Sequence, residues 1–396
     1  MYPISISIPS EKIVKNVPKK ERVMAELIPG DLSTYRFGKG QEKEYYEMYQ
    51  IARFAIDKKK GGWDAMRHYE ILANGCIPIF ENLEELPYGT MVDYPKQLVL
   101  EANKVLLPWT DDKEELYKYY SNKLLEYTKN NLTCEKNAEY FLNKLKLNKN
   151  SKILMLKGQP HLNYNRECLA IGLRRILGKE FIDYPKIDFL YSNCTEISEA
   201  YGMGYTYGGV LEDENIDREN IEEKIKNKYY DYIIYGKFGF DAKILGRIPT
   251  CEFWDIVSDN YKGRIAFLFG GDKIRNIEQK SYDRYTKDLF YVKDYGVSFI
   301  REFIMKTIVT SSNESIVTSS DESIVASSDE AIVTSSDKPI VASSDEAIVT
   351  SSDEAIVTSS DEAIVTSSDK PIVNLFQMKR SLFLQMKRSL FLQIKL

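Results

Sequence analysis

Residues 57–80, DKKKGGWDAMRHYEILANGCIPIF, contain the pattern that decides the fold class of this chain. A short apolar run before them, Arg53–Ile56, predicts a strand, and the DKKKGG loop follows it. The stretch Trp63–Asn74 has helical periodicity, and Gly75 provides a stop signal at the end of that helix. Cys76–Ile79 predicts the next strand. A strand, a helix and a second strand in this order predict a βαβ unit with parallel strands.

Strands and helices alternate in the same way over two regions of the chain, residues 1–148 and 152–303. In the first region we also predict a strand at Ile4–Ile8 and helices at Gln41–Gln50, Gln97–Leu106, Lys113–Lys129 and Cys134–Leu145. In the second we predict a helix at Arg166–Leu177 and strands at Lys152–Leu156, Asp188–Tyr191, Tyr232–Tyr235 and Arg264–Phe269. Each region is therefore expected to form a doubly wound α/β domain.

Composition limits the possible partners of the chain. The net charge of −5 gives no reason to expect nucleic acid. His68 and His161 are the only histidines, which excludes a multi-histidine metal site, and we expect no metal. We find neither an apolar run that could span a membrane nor a signal-peptide core after Met1, so no membrane span is expected. A cytoplasmic location is the default, although the sequence does not specify one.

Cysteine usage points to a reducing environment. The chain has five cysteines, an odd number without paired spacing. Such a set predicts neither a disulfide framework nor a zinc site. We therefore expect reduced core thiols at Cys76, Cys134, Cys168, Cys194 and Cys251.

The end of the chain is repetitive. Residues 304–373 repeat an octapeptide of the form IV(T/A)SSDEA, which is too polar to bury a core, so we predict an unstructured tail. A β-solenoid is the alternative, although the unit lacks glycines and a large apolar ladder. Residues 374–396 repeat SLFLQMKR with the same period. Because SSDEA spelled TCT TCA GAT GAA GCG reads LQMKR after a one-base shift, we predict a frameshifted satellite there rather than a membrane-binding basic helix.

The DKKKGG loop and the helix after it have residues suited to a phosphate-bearing ligand. The loop combines positive charge with glycines that allow close backbone approach near a helix N-terminus: Lys58, Lys60, Gly61 and Gly62. Arg67, on the first turns of the helix, can bind the same phosphates with two hydrogen bonds. Glu70 shares a helix face with Arg67 and can accept hydrogen bonds from ribose hydroxyls. The alternative is a solvated lysine loop beside an Arg67–Glu70 surface ion pair.

A family resemblance covers this unit. The segment ARFAIDKKKGGWDAMRHYEILANGCIPIFENLEELPYGTM, followed by DYPKQLVLEANKVL, resembles the donor-binding half of exostosin-like glycosyltransferases, which have an arginine, a Tyr-Glu pair and Gly-Cys-Ile-Pro in this context. The resemblance implies two Rossmann-like domains of GT-B type, with Arg67 on the diphosphate and Glu70 on the ribose. It implies a nucleoside diphosphate sugar as donor, with a UDP-sugar expected first, and no metal or other cofactor. Arg36 is a further donor-binding candidate, with an ordinary surface arginine as the alternative.

The second region resembles the acceptor half of the same family, more loosely, through KILMLKGQPHLNYNRECLAIGLRRILG and RIAFLFGGD. A glycan or glycoprotein acceptor is implied. Candidates for the catalytic base are His161, Asp241 and Asp272, with a surface histidine and helix-capping carboxylates as the alternatives. The acceptor half follows the donor half, the reverse of the family order. A circular permutant, a fragment of a tandem array, or replacement of a second donor half by the repeat would each explain this order.

The sequence thus predicts a glycosyltransferase, specifically a hexosyltransferase, with an unstructured repeat tail. Two alternatives belong to other functional classes. The chain could be a non-catalytic remnant that binds a nucleotide or a glycan, because the second region lacks a clear catalytic base. It could also be an interaction protein in which the repeat tail makes the contacts.

Overall fold

The computed structural model describes residues 1–87, 89–158, 162–213, 215–237, 251–270 and 292–303, together with separate strands between 307 and 383. The chain divides into two units. The first consists of Met1–Leu86 and Thr90–Glu302, and the second of Pro87–Gly89 and Phe303–Leu396.

The first unit is an α/β structure with both predicted regions in it. Up to residue 303, the strands are β1 (Tyr2–Pro3), β2 (Arg22–Met24), β3 (Ala52–Asp57), β4 (Ile77–Phe80), β5 (Gly89–Thr90), β6 (Ile153–Leu156), β7 (Phe181–Tyr184), β8 (Tyr232–Tyr235), β9 (Ile265–Phe269), β10 (Gly296–Ile300) and β11 (Glu302–Phe303). The helices are α1 (Glu42–Ile51), α2 (Met66–Ala73), α3 (Lys96–Leu106), α4 (Glu114–Asn131), α5 (Cys134–Lys144), α6 (Tyr164–Leu177), α7 (Ile221–Lys226) and α8 (Trp254–Asn260). In the described part of the chain, no helix combines the length and apolar character needed to cross a membrane.

The predicted βαβ unit is confirmed. Strands β2, β3 and β4 form a parallel sheet in that order, and α2 connects β3 to β4. Gly75 has the positive φ of 63° that a glycine after a helix end adopts. The helix begins at Met66, later than predicted from Trp63. The side chain of Asp64 accepts hydrogen bonds from the Ile6 N–H and the Tyr69 hydroxyl, which holds this stretch outside the helix.

The second region forms a larger sheet with a strand from the first region at its edge. All six strands are parallel, in the order β1-β10-β9-β8-β6-β7. Strand order reverses between β6 and β8, as in doubly wound sheets. Pairing of Tyr2 with Phe299 and of Pro3 with Ile300 adds β1 to this sheet. The boundary between residues 148 and 152 stays a prediction, but the sheet of the second region includes the first residues of the chain.

Two predicted strands are wrong. The Ile4 N–H still binds the Ile300 carbonyl, and Ile8 forms an isolated bridge with Thr133. No strand spans Ile4–Ile8, because the Ile6 N–H binds the Asp64 carboxylate instead of a neighbouring strand. The stretch predicted as a strand at Asp188–Tyr191 is a 3-10 turn at Asp188–Leu190. There the backbone N–H of Leu190 binds the carbonyl of Ile187, so hydrogen bonds within the turn take the place of hydrogen bonds to a neighbouring strand.

Three of the five thiols lie where they were predicted. Cys76, Cys134 and Cys168 are buried and free of disulfides. Cys194 and Cys251 also form no disulfide among the described residues, but each is partly exposed, so the prediction of core positions is wrong for these two.

The second unit contains strands in the repeat, where we predicted an unstructured tail. One parallel sheet contains the strands Thr307–Val309, Ser323–Val325, Ile340–Val341, Ile356–Val357 and Ile372–Val373. The other contains Ser312–Ser319, Ser328–Ser335, Ser344–Ser351, Ser360–Ser367 and Arg380–Phe383. Ser312 pairs with Ser328, two octapeptides further on. This is the pairing that the β-solenoid alternative requires, since identical repeats can stack in register and pair their backbone groups.

Helix α5 of the first region packs against α6 of the second at Gly172. A β-carbon on Gly172 would overlap the carbonyl oxygen of Cys134 and lie 2.8 Å from the β-carbon of Ala138. The residue is buried inside the helix, where alanine normally stabilises by about 1 kcal/mol relative to glycine. Close helix packing is therefore the reason for glycine here.

We predict that Gly172→Ala destabilises the protein by about 1–3 kcal/mol, because overpacking outweighs helix propensity. Urea unfolding followed by circular dichroism measures the change. Gly38→Ala is the matched control, since its β-carbon would meet only Gln41 Oε1, at an ordinary 3.5 Å. Equal stability of the two variants would contradict the packing argument.

Candidate functional site

A cavity of about 270 Å³ lies where the βαβ unit meets the second region. The first region contributes the loop after β3, the start of α2, Leu27 and the aromatic residues Tyr35, Phe37 and Tyr45. The second region contributes Tyr164 and four residues between Tyr201 and Tyr205. A wider depression of about 530 Å³ on the outer face of α4 is lined by alternating surface charges and lacks such convergence, so we regard the first cavity as the candidate site.

Three predicted donor-binding cations line this cavity: Lys58, Lys60 and Arg67. None of them forms a salt bridge within the described part of the chain. Arg67 lies in the first turn of α2, and its Nε is buried without a hydrogen-bond acceptor among the described residues. The cations therefore present positive charge and unused donors to the cavity.

Tyr35 brings two of these cations together. Its Oη accepts hydrogen bonds from Lys60 Nζ at 2.7 Å and from Arg67 Nη2 at 3.3 Å. The backbone N–H of Gly30 also donates to this oxygen, at 3.3 Å. Tyr35 was not predicted as a site residue, because an isolated tyrosine in LIPGDLSTYRF does not indicate which residues it contacts in the fold.

The two loop glycines do not line the cavity. Gly62 is buried against Glu302, and a β-carbon there would overlap the Glu302 carboxylate. Gly61 is also absent from the cavity wall. Close packing against the end of the second region explains the glycine at position 62, so the prediction that these glycines contact a phosphate is not supported by their positions.

Arg36 lies on the surface. Its guanidinium forms an ion pair with Glu26, and more than half of its side chain is exposed. It is not part of the cavity wall. This placement fits the ordinary surface arginine that was the alternative.

Glu70 is buried at the junction of the two regions. Its Oε2 accepts a hydrogen bond from the Tyr45 hydroxyl at 2.6 Å, and its Oε1 accepts one from the Thr206 hydroxyl. Burial raises the pKa of Glu70, although the two hydroxyls and the charge of Arg67 favour the ionised form. The alternative of a surface Arg67–Glu70 ion pair is not observed. Ribose binding stays a prediction, since each carboxylate oxygen can accept a further hydrogen bond.

A buried His68–Asp57 pair in the cavity wall was not predicted from the sequence. His68 Nδ1 lies 2.6 Å from Asp57 Oδ2, and Nε2 lies 2.7 Å from the backbone oxygen of Trp63. Burial alone would lower the pKa of His68, but the Asp57 carboxylate and the Trp63 carbonyl outweigh it and raise the pKa. Both ring nitrogens face acceptors, so the charged imidazolium satisfies this site. The residues are eleven positions apart, a spacing without a sequence signature.

A second buried polar group lies at the carboxyl ends of β8 and β9. Gly236 and Gly270 follow these strands, and a β-carbon on them would overlap Arg166 and Asn163 respectively. Arg166 forms an ion pair with Glu167, and both side chains are fully buried. The glycines after the strands were visible in the sequence, but their partners were not.

The three candidates for a catalytic base, His161, Asp241 and Asp272, lie outside the described residues. Among the residues that are described, no group of three or more His, Cys, Asp or Glu side chains could hold a metal ion. Metal-independent chemistry stays a prediction.

No protein-family model, curated protein or solved structure matches the chain. The resemblance to exostosin-like glycosyltransferases is therefore carried only by the residues quoted above, and it stays a prediction.

We predict that His68 titrates above the ordinary histidine pKa of about 6.5. A raised folded-state pKa means that the pair stabilises the fold fully below pH 6.5 and loses this contribution as the pH rises through the folded pKa. Imidazole carbon NMR measures it directly, because His161→Gln leaves a single histidine signal. A pKa at or below 6.5 for that signal would contradict the charged pair, and Asp57→Asn should lower it.

Proposed function

We propose that the chain binds a nucleoside diphosphate sugar and transfers the sugar to a glycan or protein acceptor. The observation that carries the proposal is the set of three cations, Lys58, Lys60 and Arg67, that line one cavity at the start of α2 and have no acidic partner among the described residues. Anions are favoured at a helix N-terminus because free N–H groups and the helix dipole point toward them. A diphosphate is the natural ligand for several cations placed this closely.

The same cations would assist the chemical step. Transfer of a sugar from its nucleotide leaves a diphosphate on which negative charge develops, and preorganised donors stabilise such charge. Arg67 would hold the diphosphate through its guanidinium, with Lys60 beside it at the Tyr35 hydroxyl and Lys58 in the loop after β3. This arrangement needs no metal ion, which agrees with what the family resemblance implies.

The position of the cavity also supports the proposal. It lies beyond Asp57, the last residue of β3, and ligands of open α/β sheets bind outside the carboxyl ends of their strands. The second region closes it with Tyr164, Tyr201 and Tyr205. A donor site on one Rossmann-like region that faces an acceptor region is the arrangement that a GT-B enzyme needs. Aromatic rings in the wall suit stacking on a base or a sugar ring.

The second candidate is a non-catalytic nucleotide-binding remnant. One observation favours it: both carboxylates in the described cavity wall already bind groups within the protein. Asp57 binds His68, and Glu70 binds the hydroxyls of Tyr45 and Thr206. An acceptor hydroxyl must lose a proton during transfer, so a base that is free to take it is required.

We predict that Arg67→Ala weakens UDP binding by more than 1 kcal/mol, since hydrogen bonds to charged groups contribute about 1.5–3 kcal/mol. Isothermal titration calorimetry measures the change. Arg36→Ala is the matched control, because it also removes one guanidinium but lies outside the cavity. If the two variants bind UDP equally well while folded, Arg67 does not bind the diphosphate.

Turnover separates the enzyme from the remnant. We expect the protein to release UDP or GDP from one member of a sugar-nucleotide panel, with the rate increased by a suitable glycan acceptor. Coupled detection of the released nucleoside diphosphate measures this. Tight binding of a sugar nucleotide without any hydrolysis or transfer would favour the remnant.

A further inference from the structure

Three N–H donors converge on a single oxygen in the cavity, the Oη of Tyr35. Lys60 Nζ, Arg67 Nη2 and the Gly30 backbone N–H approach it to 2.7, 3.3 and 3.3 Å. The two cations also lie near the Tyr35 ring, 5.0 and 5.5 Å from its centre. Two positive side chains and a backbone N–H around one point form the usual environment of a bound phosphate oxygen or oxyanion.

A tyrosine hydroxyl is an unusual occupant of such a position. A neutral phenol donates a hydrogen bond as readily as it accepts one, whereas a phenolate only accepts. Burial opposes ionisation of Tyr35, but Lys60, the Gly30 N–H and Arg67 together outweigh burial and lower its pKa to about 8. The surroundings therefore favour an anion at this point.

We propose that Gly30, Lys60 and Arg67 form an anion subsite for one phosphoryl group of the ligand, and that the Tyr35 hydroxyl fills this subsite until the ligand displaces it. The identification of the ligand as a diphosphate rests on the proposed function. The anion subsite itself rests on the positions of the three hydrogen-bond donors around the Tyr35 oxygen. Tyr35 competes with the ligand, most strongly as a phenolate.

The other charged groups around Tyr35 do not cancel the subsite. Lys58 adds positive charge beside Gly30. The carboxylates near it bind other groups: Asp31 binds Ser33, Asp57 binds His68, and Glu70 binds Tyr45 and Thr206. Arg36, the neighbour of Tyr35 in sequence, is paired with Glu26.

Displacement of Tyr35 does not require the core to open. Tyr35 is 38% exposed. The turn before it is closed by bonds of its own, since the Thr34 hydroxyl binds Ile28 and the Asp31 side chain caps Leu32–Thr34. Rotation of the Tyr35 side chain would therefore release the three donors and leave the turn in place.

The first experiment tests the subsite without any nucleotide. Protein with ¹³C-labelled tyrosine rings is titrated by NMR, and Tyr35→Phe identifies the Tyr35 signal by its loss. We expect that signal to titrate near pH 8, and we expect sodium sulfate to raise its pKa because sulfate takes the three donors. Sodium chloride of equal ionic strength is the control and should raise the pKa less.

The second experiment measures the affinity for UDP at pH 7 and pH 9. We assume that UDP displaces Tyr35 only when its hydroxyl is neutral. With a Tyr35 pKa of about 8, the wild-type affinity for UDP then falls roughly tenfold between pH 7 and pH 9. Tyr35→Phe should lose most of this fall. Any titration of UDP affects both proteins equally, so the difference between them isolates Tyr35. Tyr119→Phe, on the exposed face of α4, is the matched control and should behave as wild type.

The outcomes separate the subsite from the proposed function. A Tyr35 pKa that sulfate and chloride change equally overturns the subsite, even if UDP binds. Equal pH dependence of UDP binding in wild type and Tyr35→Phe overturns the competition. A sulfate effect without any UDP binding supports the subsite and contradicts the nucleotide-binding function.

Discussion

Asp64 is a buried carboxylate that joins three distant stretches of the first unit. Its side chain accepts hydrogen bonds from the Ile6 N–H at 2.7 Å and from the Tyr69 hydroxyl at 2.8 Å. Arg301, just after β10, donates to its backbone oxygen at 2.8 Å. Burial raises the pKa of Asp64, while the charge of Arg301 and these hydrogen bonds oppose the rise. A buried polar group that loses its hydrogen-bond partner typically costs about 1–3 kcal/mol, so the start of the chain, the βαβ loop and the large sheet depend on each other here.

This connection fixes where the candidate site can form. The βαβ unit provides the cations, and the second region provides the facing tyrosines. A second connection, from Glu70 to the Thr206 hydroxyl, holds the tyrosine-containing loop over the cavity. Met203 and Thr206 in that loop have positive φ angles, a conformation that costs a non-glycine residue energy and is common at functional sites. The site is thus assembled by contacts between the regions.

The electrostatics of the cavity favour an anionic ligand. Its acidic groups are used internally, by His68, Tyr45 and Thr206, whereas its lysines and Arg67 have no acidic partner in the described chain. Positive side chains without an acidic partner in the described chain support the binding of an anion directly. They support sugar transfer less directly, because transfer also needs a base. Nucleotide binding is therefore the better supported part of the proposed function. The anion subsite at Tyr35 can be tested separately, by titration of the Tyr35 hydroxyl.

The sequence by itself determined the βαβ unit, the helix-ending glycine and the place of Arg67 on α2, because these follow from local periodicity and from contacts within a few residues. Only the tertiary structure decided that Gly62 packs on Glu302, that Glu70 binds Thr206 and that β1 joins the second sheet. The partners in the Glu70–Thr206 bond are 136 positions apart. Local pattern cannot identify such partners, since they are selected by the way the sheets and helices pack. The same reason explains why Tyr35, which completes the anion subsite, had no signal in the sequence.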